Sequence, residues 1–384
     1  MGKVDLRINR QRNEALKINI MFAVFKKMTR LSYFLALIVF FSACINQVDK
    51  KIDEPPRFFS DDSFWNQPIP EEAVIDPRSD YWISLLERDP SGENFGLNIK
   101  SYTIPIYEVD SKNIPFQKLK HRSMEKDFGQ PIMQKGHEPE FDSIGVPITP
   151  NMLPSPGTDM HVAIIDWEEN LAWDMFWVKR LEDGTWVSAT GMIYPLDGSG
   201  VFQTSDFEVK INESIHGYGP GVAAGMPIIA GVIRYDLVKY GKIRHKLAGA
   251  LRYVAYQEYV FPASWTDGNF EGGIPEGAVI QLDPSLDLSK FDLTEGEKVV
   301  AKALQEYGLV IVDFSVGSTI RAEYLDKSAS KSWDGILRGW DEPGGIKSIP
   351  VKHYRVLKVE NVQKGGDKKK KFFEEHLYFE GDSI

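Results

Sequence analysis

The stretch from His161 to Gly200 constrains this chain more than any other: HVAIIDWEENLAWDMFWVKRLEDGTWVSATGMIYPLDGSG. Its apolar segments are interrupted by Glu-Glu-Asn and by Glu-Asp-Gly. That pattern predicts three antiparallel strands joined by short turns. Four of the nine tryptophans (Trp167, Trp173, Trp177, Trp186) fall inside it, with acidic residues and a histidine set among strand-like apolar positions. A meander of this kind is either a working site or a core.

Around it the chain alternates short strands, long loops and three modest helices. Phe58–Pro70 is an aromatic, proline-rich lead-in without helical period. Asp76-Pro77 predicts a helix to about Arg88, with Asp as N-cap and Pro in the first turn. Tyr235–Tyr240 reads as a short helix stopped by Gly241. Thr294-Glu-Gly-Glu297 is a capping box opening a helix to Tyr307. Lys242–Gln257 alternates as one long strand with His245 on its apolar face, and Leu309–Asp313 is a buried apolar strand ending in a carboxylate. Val222–Arg234 is rich in glycine and alanine, but its spacing fits no phosphate-binding loop, so it reads as packed core. The expected fold is mainly β with a few helices, an antiparallel β-sandwich or jelly-roll-like domain with long loops. The expected organisation is a leader and signal peptide over 1–43, a tether over 44–57, one globular domain over 58–362 and a charged tail over 363–384.

Charge and cysteine use restrict location and partners. Of 384 residues, 42% are hydrophobic and 26% charged, a balance that supports a sizeable core. Residues 1–44 carry eight basic side chains against Asp5 and Glu14; that +6 leaves −16 on the rest of a chain whose net charge is −10. So acidic a body counts against nucleic acid, whose binding rests on neutralising phosphates. It also makes a polyanionic glycan a second choice. The single cysteine, Cys44, excludes an internal disulfide. It follows the apolar run Leu31–Phe41 and Ser42-Ala43, a run too short to span a bilayer but of the length of a signal-peptide core. Ser-Ala-Cys resembles the lipobox of bacterial lipoproteins, with Phe41 where a leucine is usual. The resemblance implies lipidation at Cys44, membrane attachment through that anchor, and a place in the bacterial envelope, at the outer membrane or cell surface.

The candidate chemistry lies in the meander. A turn centred on Glu169 places Ile165 opposite Trp173 and His161 opposite Trp177, with Asp166 and Asp174 as diagonal neighbours on one face. Two carboxylates so placed could be the acid and nucleophile of a retaining glycosidase, which stand about 5–5.5 Å apart. A slip of one residue destroys the pairing. Asp166 also borders a turn, where Asp commonly makes local hydrogen bonds. In this register His161, Trp173 and Trp177 share the other face, with His161 as an auxiliary acid or base. The tryptophans serve as sugar platforms or fill the core. His245 and Trp265, the latter in the loop Pro262–Pro275 with Asp267 and Glu271, are further substrate-binding candidates. Asp313 is a candidate by its strand-end position, and Asp197 reads as a turn residue. No zinc site is expected, because the seven histidines are scattered, and no cofactor motif is present. No G-x-S-x-G elbow occurs.

The body also resembles secreted bacterial proteins that combine a Phe-Trp-Asn-x-Pro-Ile-Pro lead-in (Phe64–Pro70), an Asp-Gly-Ser-Gly turn (Asp197–Gly200) and an Ala-x-Gly-x-Pro segment (Ala223–Pro227). The resemblance covers much of residues 60–315 and supplies no activity, so no catalytic role is carried over. The expectation is a lipid-anchored carbohydrate-active enzyme, a glycoside hydrolase, acting on a polysaccharide or oligosaccharide. A non-catalytic glycan-binding lipoprotein and a polysaccharide lyase are the alternatives.

Overall fold

The structure is a computed structural model that describes residues 53–90, 94–122, 132–134, 139–203, 216–218, 221–325 and 330–366. Cys44, the apolar run before it and Lys368–Lys371 lie outside the described residues. The body is mainly β with few helices, as expected, but its sheets are mixed rather than purely antiparallel.

A six-stranded sheet forms the centre. Its strands, in spatial order, are Gly96–Asn98, Thr319–Arg321, Leu247–Leu251, Leu309–Phe314, Val279–Leu282 and Tyr354–Val356. Leu247–Leu251 runs parallel to Leu309–Phe314 and antiparallel to Thr319–Arg321. One face of the sheet (Leu247, Ile280, Leu309, Ile311) packs on two helices, through Trp82, Leu85 and Leu86 of Ser79–Glu87 and Val300 and Leu304 of Glu295–Glu306. The other face (Ala248, Val310, Val312) packs on Ala163, Ile165, Ala172 and Met192 of the meander, giving a sandwich-like pair of sheets. Because Leu-Val-Ile-Val at 309–312 is buried on both faces, it reads as a continuous apolar run rather than an alternation.

The meander forms a four-stranded sheet in the order Ile106–Glu108, Val162–Asp166, Leu171–Phe176, Thr190–Pro195. Its register differs from expectation by one residue. Ile164, not Ile165, faces Trp173, and Asp174 faces Ala163. The cause is the turn. Asp166 pairs with Leu171 around a four-residue loop, Asn170 takes a left-handed φ of 56°, and the Asp166 carboxylate accepts hydrogen bonds from the Glu168 and Glu169 amides. With side chains alternating, Asp166 and Asp174 fall on opposite faces, and so do His161 and Trp173. The expected Asp166–Asp174 pair is therefore not formed.

Two other elements depart from the expected pattern. The helix foreseen from Asp76 begins at Ser79, because the Asp76 carboxylate bonds the Arg78 and Val359 amides. Lys242–Gln257 is not one strand. It divides into Leu247–Leu251 and Val254–Tyr259, which belong to different sheets, and His245 precedes the first of them. The capping box at Thr294 is present, with Thr294 Oγ1 accepting from the Glu297 amide at 3.1 Å and Glu297 Oε2 from the Thr294 amide at 2.8 Å. The same Glu297 carboxylate holds the Arg338 guanidinium at 2.7 Å, tying the 338–345 loop to this helix.

Candidate active site

Where the central sheet ends, a cleft of about 490 Å³ opens between Asp159, Asp267, Asp313 and Arg321 on its floor and Tyr102 and Trp340 at its rim. Each wall has a local cause. In the strand Leu309–Phe314 the register against Leu247–Leu251 slips, so that Ile311 faces Gly249 and Asp313 faces Ala250, leaving Val312 as the extra residue. Bulges of this kind re-aim the side chains beyond them. Asp313 then meets the guanidinium of Arg321, two strands away in the sheet, in an ion pair.

Asp267 is held by a loop laced to the sheet. Its Oδ1 accepts from the Phe314 amide at 3.2 Å, and the Ser264 and Trp265 amides both bond the Ala224 carbonyl. Gly268 permits the approach, since a Cβ there would stand 2.1 Å from the Ala255 carbonyl oxygen. Glu276, at the end of the strand Ile274–Glu276, lies beneath. It is 0% exposed, and neither carboxylate oxygen has a hydrogen-bond partner among the described residues. One carboxylate oxygen from each of Asp267, Glu276 and Asp313 lies within 4.8 Å of the others.

The electrostatics follow from that crowding. Burial, then the charges of Asp267 and Asp313, push the Glu276 carboxyl well above the ordinary range. Burial also raises Asp159, against the pull of Arg321 and the hydrogen bond from Thr158, and Asp267 adds to the rise. His161 is buried behind the floor, and burial together with the Arg321 charge pushes its imidazole well below the usual value, so it is neutral at pH 7. Arg321 is itself buried, and its Nη1 has no acceptor among the described residues. At the rim, Trp340 is 51% and Tyr102 44% exposed. Gly96 lets Trp340 lie close to the edge strand, where the Trp340 amide bonds the Leu97 carbonyl at 3.0 Å.

The residues singled out in the sequence are distributed differently. Asp166 accepts from the Ser111 amide and hydroxyl as well as from its own turn. Although burial opposes it, these donors hold its carboxyl below the ordinary value. Asp174 is buried where the meander meets the 222–233 segment and accepts from the Ile228 amide, away from the cleft wall. Trp173 and Trp177 are buried in apolar clusters, Trp177 beneath the Lys179 ammonium at 3.7 Å. Trp265 is buried and absent from the cleft wall. His245 bonds the Lys246 carbonyl through Nδ1 at 2.8 Å, and burial lowers it to about 4. Of these candidates only His161, behind the floor, and Asp313, on it, fall near the cleft; Asp267 figures in the sequence merely as part of the Pro262–Pro275 loop. Asp159, Glu276, Arg321, Tyr102 and Trp340 were missed.

The fold and site define a β-rich protein with an acidic cleft rimmed by aromatic rings. No protein-family model, curated protein or solved structure matches the chain. Among the described residues no helix is long and apolar enough to cross a membrane.

Proposed function

We propose that this protein is a carbohydrate-active enzyme that cleaves glycosidic bonds at the Asp267–Asp313 cleft, tethered to the bacterial envelope through a lipid on Cys44. The observation that carries the reading is the carboxylate pair on one open floor, with nearest oxygens within 4.8 Å. That separation favours the retaining arrangement, at about 5–5.5 Å, over the inverting one, at about 6.5–9.5 Å. Exposed Trp340 and Tyr102 offer flat apolar faces for sugar rings.

Asp313, paired with a guanidinium, is the nucleophile. Its carboxylate attacks the anomeric carbon while Asp267 gives a proton to the departing glycosidic oxygen; the C–O bond breaks and a glycosyl ester forms. Water then attacks the ester, its proton returns to Asp267, and Asp313 is released. The net change is addition of one water across the bond. A uronate-directed lyase is less well supported, because both cations on the cleft wall are engaged, Arg321 by Asp313 and Lys347 by the Trp340 carbonyl.

The test is a panel of neutral, amino-bearing and uronic glycans, assayed for new reducing ends and for unsaturated uronates. The expected result is reducing ends alone, falling at least about 100-fold in Asp267→Asn and Asp313→Asn proteins that keep the wild-type circular dichroism. Binding without cleavage across the panel would replace this reading by a glycan-binding lipoprotein. Unsaturated uronates would replace it by a lyase.

A further inference from the structure

Glu276 has no part in the glycosidase scheme, yet it is fully buried beside two other carboxylates. It is absent from the cleft wall, and no hydrogen bond of ordinary geometry reaches its oxygens among the described residues, although the Thr266 hydroxyl lies beside them. The charged and titratable groups around it come from each neighbouring element. Asp267 stands on the 263–273 loop beside Thr266, Asp313 on Leu309–Phe314 and Arg321 on Thr319–Arg321; Tyr259 is its register partner on the adjacent strand. These three carboxylates, with Asp159 nearby as a fourth, thus face one guanidinium, and that guanidinium is engaged by Asp313. Such an excess must be offset by a proton or by a cation.

Geometry favours the proton. A hard divalent cation of calcium size takes six to eight oxygens, whereas one oxygen from each of three carboxylates converges here, and Arg321 already lies against one of those groups. A lone proton needs neither an open path nor a coordination shell. Two carboxyl groups so close, one fully buried and one at the cleft floor, cannot both ionise easily, and they titrate as a unit.

We propose that Glu276 and Asp267 hold one proton between them, which makes Glu276 the positioning residue that keeps the acid of the cleft protonated at neutral pH. Its catalytic meaning rests on the glycosidase reading; the shared proton does not. In the first step the proton leaves the pair for the glycosidic oxygen as the bond from the anomeric carbon to Asp313 forms. In the second the proton of the attacking water returns to the pair as that bond breaks. The raised carboxyl of Glu276 agrees with this arrangement.

The experiment is a carboxyl NMR titration of the full chain labelled with ¹³C at Asp and Glu side chains, on wild type, Glu276→Gln and Asp267→Asn, with and without calcium chloride. The expected result is one carboxyl of the pair still protonated at neutral pH, a signal lost in Glu276→Gln. On any glycan that is cleaved, Glu276→Gln should move the alkaline limb of the kcat profile to lower pH by at least about one unit and leave KM unchanged. Full ionisation of both carboxyls at neutral pH in the wild type overturns the proposal, and the wild-type titration decides this even if a variant does not fold. Calcium-induced shifts of all three carboxyls, abolished in Glu276→Gln, would overturn it in favour of a cation site. A shared proton without cleavage of any glycan would leave the pair standing and remove the glycosidase reading.

Discussion

Asp166 and Asp174 lie eight residues apart in one hairpin, and their surroundings drive their ionisation in opposite directions. Asp166 collects hydrogen bonds from Ser111, Glu168 and Glu169, so its charged form is favoured once the chain folds. Asp174 is buried with the Ile228 amide as donor, and burial pushes it up to about 7 despite that bond and the nearby Tyr194 hydroxyl. A group whose pKa is raised on folding binds its proton more tightly in the native state. Its contribution is therefore complete below the unfolded value of 3.8 and is lost as pH rises through about 7. The shift corresponds to roughly 4 kcal/mol as an upper bound. Denaturant unfolding across that window should show wild type losing stability relative to Asp174→Asn as pH rises, with the gap levelling off above about 7. A constant gap at every pH would mean that Asp174 is not neutral in the folded protein. That one of these acids needs a partner was legible in the sequence, since a mid-strand Asp between aromatics is costly unpaired. Which face it occupied was not, because parity depends on a turn whose even length is set by Asp166 itself and by the left-handed Asn170.

The best-read elements are those whose signals are local. The capping box at Thr294, the stop at Gly241 and the stripe of Trp82, Leu85 and Leu86 each depend on contacts within one or two turns, and each is present. The long strand over Lys242–Gln257 failed for the opposite reason: its break at Arg252–Tyr253 answers to two different sheets, and Arg252 reaches to Asp89 and to the Val316 carbonyl. The helix Glu295–Glu306 also carries a duty beyond its own stability. Glu297 caps it and, through Arg338, anchors the loop that presents Trp340. Thr294→Ala should cost about 1 kcal/mol and leave glycan binding intact. Glu297→Ala removes the cap and the buried partner of Arg338, which keeps Asp292, and should cost somewhat more, about 2 kcal/mol. It should also weaken binding of a cleaved glycan several-fold, while the pH profile stays in place. Equal effects of the two changes on binding, measured by calorimetry, would separate Trp340 from the helix.

At the scale of the whole molecule the cleft could not be read from the chain, because no window of sequence contains it. Its floor draws on residues 159, 267, 313 and 321, with 276 beneath, and on a rim at 102 and 340. Each carboxylate looks ordinary in place: Asp159 in a Gly-Thr-Asp loop, Asp267 in a Thr-Asp-Gly turn, Glu276 before a glycine. Asp313 stood out only because it ends an apolar strand. The aromatic wealth of the meander pointed toward the core instead, where large rings gain most from burial.

The parallel pairing of Leu247–Leu251 with Leu309–Phe314 has a kinetic consequence. Those strands are joined only after a long intervening segment has closed, and loop closure must be met before the contact gives anything back. Refolding from denaturant should accordingly show early protection of the Val162–Phe176 hairpin in pulsed hydrogen exchange, with amides of Leu309–Phe314 protected last. Any hydrolytic activity should return with that last phase, so turnover would serve as a clock for completion of the central sheet. Protection of both regions in a single step would show that the two sheets assemble together.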